Sequence, residues 1–202
     1  MKIDKIMKFM KMKKTCAVFH VDGTQWFSNG EAAFPVYNFP AVDYKTVKSL
    51  FSLDEDSEKG WSISVHANSP AGIDFRDEPL AGDESVDLHI VSLSVGRQFT
   101  PVFTSLGMAF FKPEYIAPFL ADKLHDYDFV IRWTKENNPV LLIKRGLLID
   151  GAIMPVAIIT PELYRDLQGF VTACGMSIEN EITGFEKHGI AGQMRIAEDE
   201  DE

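Results

Sequence analysis

Phe39-Pro40-Ala41-Val42-Asp43-Tyr44 and Phe111-Lys112-Pro113-Glu114-Tyr115 are two copies of one pattern: an aromatic residue, a proline, and a tyrosine that opens a short amphipathic helix. β-rich strands follow each copy, Trp61 to Ala67 after the first and Phe129 to Val156 after the second. The doubling predicts an α+β fold of two similar halves, each a helix packed on antiparallel strands.

Upstream of the first copy, Thr15 to Val21, Thr24 to Phe27 and Ala32 to Val36 are apolar, β-branched or aromatic runs separated by Asp22-Gly23 and Asn29-Gly30. Such pairs supply the positive φ angles of tight hairpins, so the three runs read as a meander. Asp43 is a good N-cap for a helix whose apolar face is Tyr44, Val47, Leu50 and Phe51. Trp61, Ile63 and Val65 alternate with Ser62, Ser64 and His66, as in a strand with one buried face. Residues 68–87, rich in Pro, Gly, Asp and Glu, predict an exposed acidic loop between the halves, with one short strand around Ile73 to Phe75.

Strands resume at Leu88 to Val95, Gln98 to Phe103 and Met108 to Phe111 before the second helix. Pro118 would remove a helical hydrogen bond, which predicts regular helix only from near Ala117. Phe129, Ile131 and Trp133 alternate with Val130 and Arg132, and Val140 to Lys144 and Ala152 to Ile159 supply further strands. Thr160-Pro161-Glu162 opens a C-terminal helix that runs to about Cys174, and an acidic tail ends the chain. The domain expectation is a basic N-terminal extension over 1–14, an α+β domain over 15–159 with halves 15–67 and 88–159, and a helix and tail over 160–202.

The chain has 202 residues, 46% hydrophobic and 25% charged, with a formal net charge of −10. Six lysines against Asp4 in residues 1–14 offset the five acidic residues at the end, so the body carries the deficit and repels a phosphate backbone. Two distant cysteines, Cys16 and Cys174, suggest no disulfide framework and point to a reducing compartment. Ile3, Ile6, Met7 and Met10 at helical spacing among lysines fit a basic amphipathic helix, but a frayed extension is the preferred reading, and no span or secretory signal is expected. The expected location is cytoplasmic, with no membrane partner.

The residues Phe111 to Ile116, a helix, Phe129-Val130-Ile131, Pro139 to Ile143 and Ile153-Met154-Pro155-Val156 resemble the last half-domain of the bacterial DNA sliding clamp, the β processivity factor. The resemblance covers about a quarter of the chain. It implies a single clamp-type domain in a non-enzymatic protein of DNA replication, of phage or mobile-element origin, that associates with itself or with a replication protein. It also implies that Met154, Pro155 and Val156 border a hydrophobic pocket for partner peptides, and that Lys45 and Lys48 on the first helix meet DNA. The helices are close to neutral, however, with Lys45 and Lys48 against Asp43, and Lys112 and Lys123 against Glu114 and Asp122. Weak or no duplex binding by a monomer follows, and the alternative is a protein-protein interaction module that keeps the clamp-like fold without encircling DNA.

No other chemistry is legible. His20, Asp22, His66 and His89 lie in strand-like runs without a metal-motif pair, so no metal is expected. Cys174 falls near a predicted helix C-terminus and Cys16 in a core strand, both poor settings for a thiolate. The nucleophile elbow, the phosphate-cradling loop and the dinucleotide fingerprint are missing, so no catalytic residue and no cofactor is expected.

Overall fold

A computed structural model describes residues 3–69, 72–88, 93–94, 98–122, 124 and 126–156. All lie in one compact unit, Met1–Val156; the second unit, Ala157–Glu202, falls outside them, and with it the expected helix from Thr160 and the acidic tail. The elements are α1 (Ile3–Lys13), β1 (Thr15–Val21), β2 (Thr24–Ser28), β3 (Ala32–Val36), α2 (Tyr44–Phe51), α3 (Glu55–Glu58), β4 (Ser62–Val65), β5 (Glu84–Ser85), β6 (Leu93–Ser94), β7 (Gln98–Thr104), β8 (Gly107–Phe111), α4 (Pro113–Leu120), β9 (Asp128–Trp133), β10 (Pro139–Arg145) and β11 (Leu148–Ile153). The class is α+β. No helix among the described residues is long and apolar enough to cross a membrane.

Eight strands form one sheet in the order β4-β1-β2-β3-β11-β10-β9-β5, and β6-β7-β8 form a smaller one. The expected meander β1-β2-β3 is present and antiparallel. Asp22 and Gly23 both take positive φ, as a tight hairpin requires. The second turn works differently. Only Gly30 is left-handed there, while the Asn29 side chain holds the turn by accepting from the Glu31 and Ala32 amides.

The two copies share an order of elements but not a strand pairing. After α2 and α3 the chain lays down β4 parallel to β1, whereas after α4 it lays down β9, β10 and β11 as an antiparallel meander. β4 takes the edge at β1, while the edge at β3 is taken by the third strand after α4, where Ala33 faces Ala152 and Ala32 faces Ile153. One continuous sheet results, with no seam between two equivalent halves.

Alternation sorts the strand side chains onto two faces. One face carries Cys16, Val18, Phe27, Phe34, Ile131, Leu141, Ile143 and Ile153, covered by α1, α2, α4 and the inner side of β7 and β8. The other carries Phe19, Trp26, Ala33, Val140, Leu142, Ile149 and Ala152, covered by Phe75. Burial on both faces explains why β10 reads as a continuous apolar run.

Several expectations are corrected here. The basic N-terminus is not a frayed extension: α1 buries Ile6, Phe9 and Met10 in the main core, using its apolar stripe internally. Residues 72–83 form the expected loop, largely solvated, but it is pinned to the sheet by Phe75, which is buried against Phe19 and Trp26. The α4 helix starts at Pro113 rather than near Ala117; in so short a helix Pro118 forfeits only its own bond to the Glu114 carbonyl. Tyr44 is exposed, with its hydroxyl on Glu58 rather than in the core. The strand expected over Leu88 to Val95 lies largely outside the described residues, where only β6 is seen.

Candidate functional site

Three described regions bear on function: the end of β11 with the polar hub beside it, the helix α2, and the tip of the β7–β8 hairpin. At the first, Met154, Pro155 and Val156 run from the large sheet to the small one. The Met154 amide donates to the Glu31 carbonyl at 2.8 Å, and the Val156 amide donates to the Phe110 carbonyl at 2.8 Å. Pro155, which has no N–H, sits at the crossing between them. All three are half-buried, and Met154 packs against the second core cluster.

Glu31 ties this crossing to a polar hub. Its side chain accepts from Lys13 Nζ at 2.8 Å, from Lys112 Nζ, and from the Tyr115 hydroxyl at 2.7 Å. Asn29 Nδ2 donates to the Tyr115 oxygen at 2.9 Å and to the Phe9 carbonyl at 3.3 Å. The hub therefore joins α1, the β2–β3 turn and the start of α4. Burial pushes the Glu31 carboxyl up, but the bonds from Lys112, Lys13 and Tyr115 outweigh it and bring the group down to about 2. Burial and the same carboxylate push the Tyr115 phenol upward. A cleft of about 630 Å³ opens beside the two lysines, lined also by Gln98, Phe99, Pro113, Glu114 and Ala117.

The sign of this coupling gives a measurable pH effect. A carboxyl lowered from 4.5 to about 2 in the folded state contributes stability that is complete above the unfolded value and is lost as pH falls through about 2. Glu31→Gln is expected to remove that acid-sensitive increment: the difference in urea midpoint between variant and wild type should shrink as pH drops from 6 to 3. A difference that stays constant over that range would assign the acid limb to other carboxylates.

The DNA-contact candidates are placed on α2, whose Asp43 cap accepts from the Thr46 amide at 2.7 Å. Lys48 pairs with Glu58 of α3, and Tyr44 donates to the same carboxylate, so this cation is neutralised by its own neighbourhood. Lys45 is exposed. Among the described residues no three His, Cys, Asp or Glu side chains converge as metal ligands; His20, Asp22 and His66 form no such group, and His89 lies outside the described residues. Cys16 is buried in β1, and burial pushes its thiol up to about 12, which leaves it un-ionised and inert.

Sequence reasoning missed the hairpin tip. Phe103 is 72% exposed, Leu106 70% and Met108 41%. The tip is held in place: Glu84 accepts from the Ser105 amide at 2.8 Å, from the Ser105 hydroxyl, and from Trp133 Nε1 at 2.8 Å. Thr104 closes the turn by donating to the Gly107 carbonyl at 2.7 Å, and Gly107 adopts φ +124°, a conformation that strains other residues. Three apolar side chains thus stand exposed on a turn braced from β5 and β9. The available signal was Phe103-Thr104-Ser105-Leu106-Gly107-Met108, where apolar residues crowd a turn that polar ones normally fill. No family model, no curated protein and no solved structure matches this chain.

Proposed function

We propose that this chain is a non-enzymatic protein-interaction module that uses the braced β7–β8 tip as its principal contact. The observation that carries this reading is the exposure of Phe103, Leu106 and Met108 on a turn fixed by Glu84. Exposing apolar side chains to water costs free energy that burial against a partner recovers, and holding them rigid removes much of the ordering cost of binding. The test is cross-linking and co-purification from the native host with wild type and with the double variant Phe103→Ser, Leu106→Ser. A partner held by wild type and lost by the double variant, at unchanged melting temperature, supports the reading. Equal recovery with both proteins sinks it.

A second reading is the clamp-like replication protein, favoured by one specific observation: from Pro113 to Ile153 the chain runs helix, strand, strand, strand, in the order the resemblance implies. On this reading Met154, Pro155 and Val156 border the peptide site, Lys45 approaches DNA, and several copies assemble. Because Lys48 is engaged by Glu58, the isolated chain is expected to show no measurable affinity for linear duplex DNA at physiological salt. Tight binding in a fluorescence-polarisation titration at that salt would reveal a basic surface that neither reading contains, whereas a closed ring of several copies by light scattering would favour this reading over the interaction module.

A further inference from the structure

We propose that the outer edge of β4 pairs with its own counterpart in a second copy of this chain, about a two-fold axis at Ser64. This goes beyond the hairpin-tip reading and does not depend on it.

Among the described residues β4 is the terminal strand of the large sheet. Its inner edge is spent on β1: the Ser62 amide donates to the Lys14 carbonyl and the His66 amide to the Val18 carbonyl. A parallel ladder uses every second residue in this way, so Ser62, Ser64 and His66 face β1. The N–H and C=O groups of Ile63 and Val65 therefore point outward. Edge strands are ordinarily blunted by charge, proline, bulges or extreme shortness. The opposite edge of the sheet follows that rule: β5 has two residues, one of them Glu84, and Asp83 precedes it. β4 does not. Gly60 to Ala67 contains no Lys, Arg, Asp, Glu or Pro, and Val65 is 38% exposed.

The pattern of the strand favours a second copy over a foreign peptide. An antiparallel pair centred on Ser64 sets Ile63 of one copy opposite Val65 of the other, twice, so that β-branched side chains pair on one face. Ser62 then meets His66, and Ser64 meets Ser64, so no like charges oppose each other. Two outward-facing residues on each strand supply about four backbone hydrogen bonds across the axis. So short an interface buries well under the roughly 1,200 Å² of a standard complex, which makes the dimer weak. The formal charge of −10 on each copy opposes the approach, so added salt should strengthen the pairing.

Sedimentation equilibrium of the full chain tests this, with a dimer fraction expected to rise across about 10–1,000 μM and to grow with salt. Val65→Pro removes an outward N–H while leaving the β1 ladder intact, since proline is tolerated on an edge strand facing solvent. The variant should keep its melting temperature and sediment as a monomer. Ser64→Lys, which places like charges on the axis, should do the same. Amide exchange adds a residue-level readout: Ile63 and Val65 should slow about tenfold in concentrated protein, with Ser64 unchanged. A monomer at every concentration, a dimer that survives both substitutions, or protection confined to residues outside β4 would each overturn the proposal.

Discussion

Replacing Arg132 by alanine is expected to cost about 3–5 kcal/mol, because it strands a buried carboxylate and several carbonyls at once. Arg132 lies on β9 and is 1% exposed. Its Nε donates to Asp83 Oδ1 at 2.9 Å and one terminal nitrogen to Asp83 Oδ2 at 2.7 Å. The remaining donors go to the carbonyls of Asp74, Arg76 and Glu78, at 3.0, 2.6 and 2.8 Å. Every N–H of the guanidinium is thereby used. Burial pushes the Asp83 carboxyl up, yet the Arg132 bond and the Leu80 amide hold it below its ordinary range. With the guanidinium gone, the segment 74–83 loses five hydrogen bonds to the sheet and keeps those at Asp77, whose carbonyl accepts from Lys144 and whose carboxylate accepts from the Ile149 amide. Phe75 should then lift from Trp26, whose ring lies 4.7 Å away, and Trp emission should shift to the red along with the fall in urea midpoint. Arg132→Lys should recover only part of the loss, since one ammonium cannot span five acceptors. A loss below about 1 kcal/mol would show that Phe75 and the bonds at Asp77 hold the segment without Arg132.

Phe34→Ala is expected to cost about 3–5 kcal/mol, and its coupling to a neighbouring glycine should identify the cause. Phe34 is fully buried on β3, stacked on Phe9 of α1 at 5.5 Å and on Phe119 of α4 at 6.4 Å, with Tyr115 at 6.5 Å. Gly151 leaves room for these rings: a methyl there would meet Phe119 Cζ at 3.2 Å and Phe34 Cδ1 at 3.3 Å. Gly151→Ala alone should therefore destabilise by about 1–3 kcal/mol through overpacking. In the Phe34→Ala background that methyl enters the vacated space, so the double variant should be more stable than the sum of the single effects, by about 0.5–3 kcal/mol. Strict additivity in denaturation midpoints would mean that the helices shift to refill the site and that Phe34 is not the fixed centre of the core.

The parts of this fold that were legible are those whose cause is local. Asp22-Gly23 fixes a hairpin between the apolar runs of β1 and β2, Asp43 caps α2, and the alternation in β4 needs no distant partner to be read. Arg132 failed because alternation reports which residues share a face, not whether that face is wet. Its partners are mainly backbone carbonyls of a segment composed like a solvated loop, where only Phe75 hinted at a cover. Tyr44 failed for the opposite reason, since an aromatic ring at an apolar spacing was satisfied by a carboxylate fourteen residues on. At the candidate site the sequence places Met154 to Val156 inside a strand over Ala152 to Ile159, whereas β11 runs Leu148–Ile153, takes Asp150 and Gly151 into its interior and ends before Met154. That the Met154 amide meets Glu31 and the Val156 amide meets Phe110 was not legible, because both partners are remote in sequence.

The pairing of β3 with β11 sets the timetable on which the protein can acquire its shape during synthesis. Ala33 waits for Ala152 and Ala32 for Ile153, so the middle of the sheet stays open until nearly all of the described chain has left the ribosome. At about 5–20 residues per second the delay is on the order of ten seconds. Through that interval the nascent chain carries β3, an Ala-Ala-Phe-Pro-Val edge with no closing neighbour, and for most of it α1 also lacks Tyr115 of α4, which later packs edge-on against Phe9. Pairing across so long a stretch is also slow to nucleate, because the loop entropy is lost before the contacts form. Arrested nascent chains ending before β11 should remain protease-sensitive and hold a trigger-type chaperone. Release of that chaperone should coincide with the emergence of Ile153.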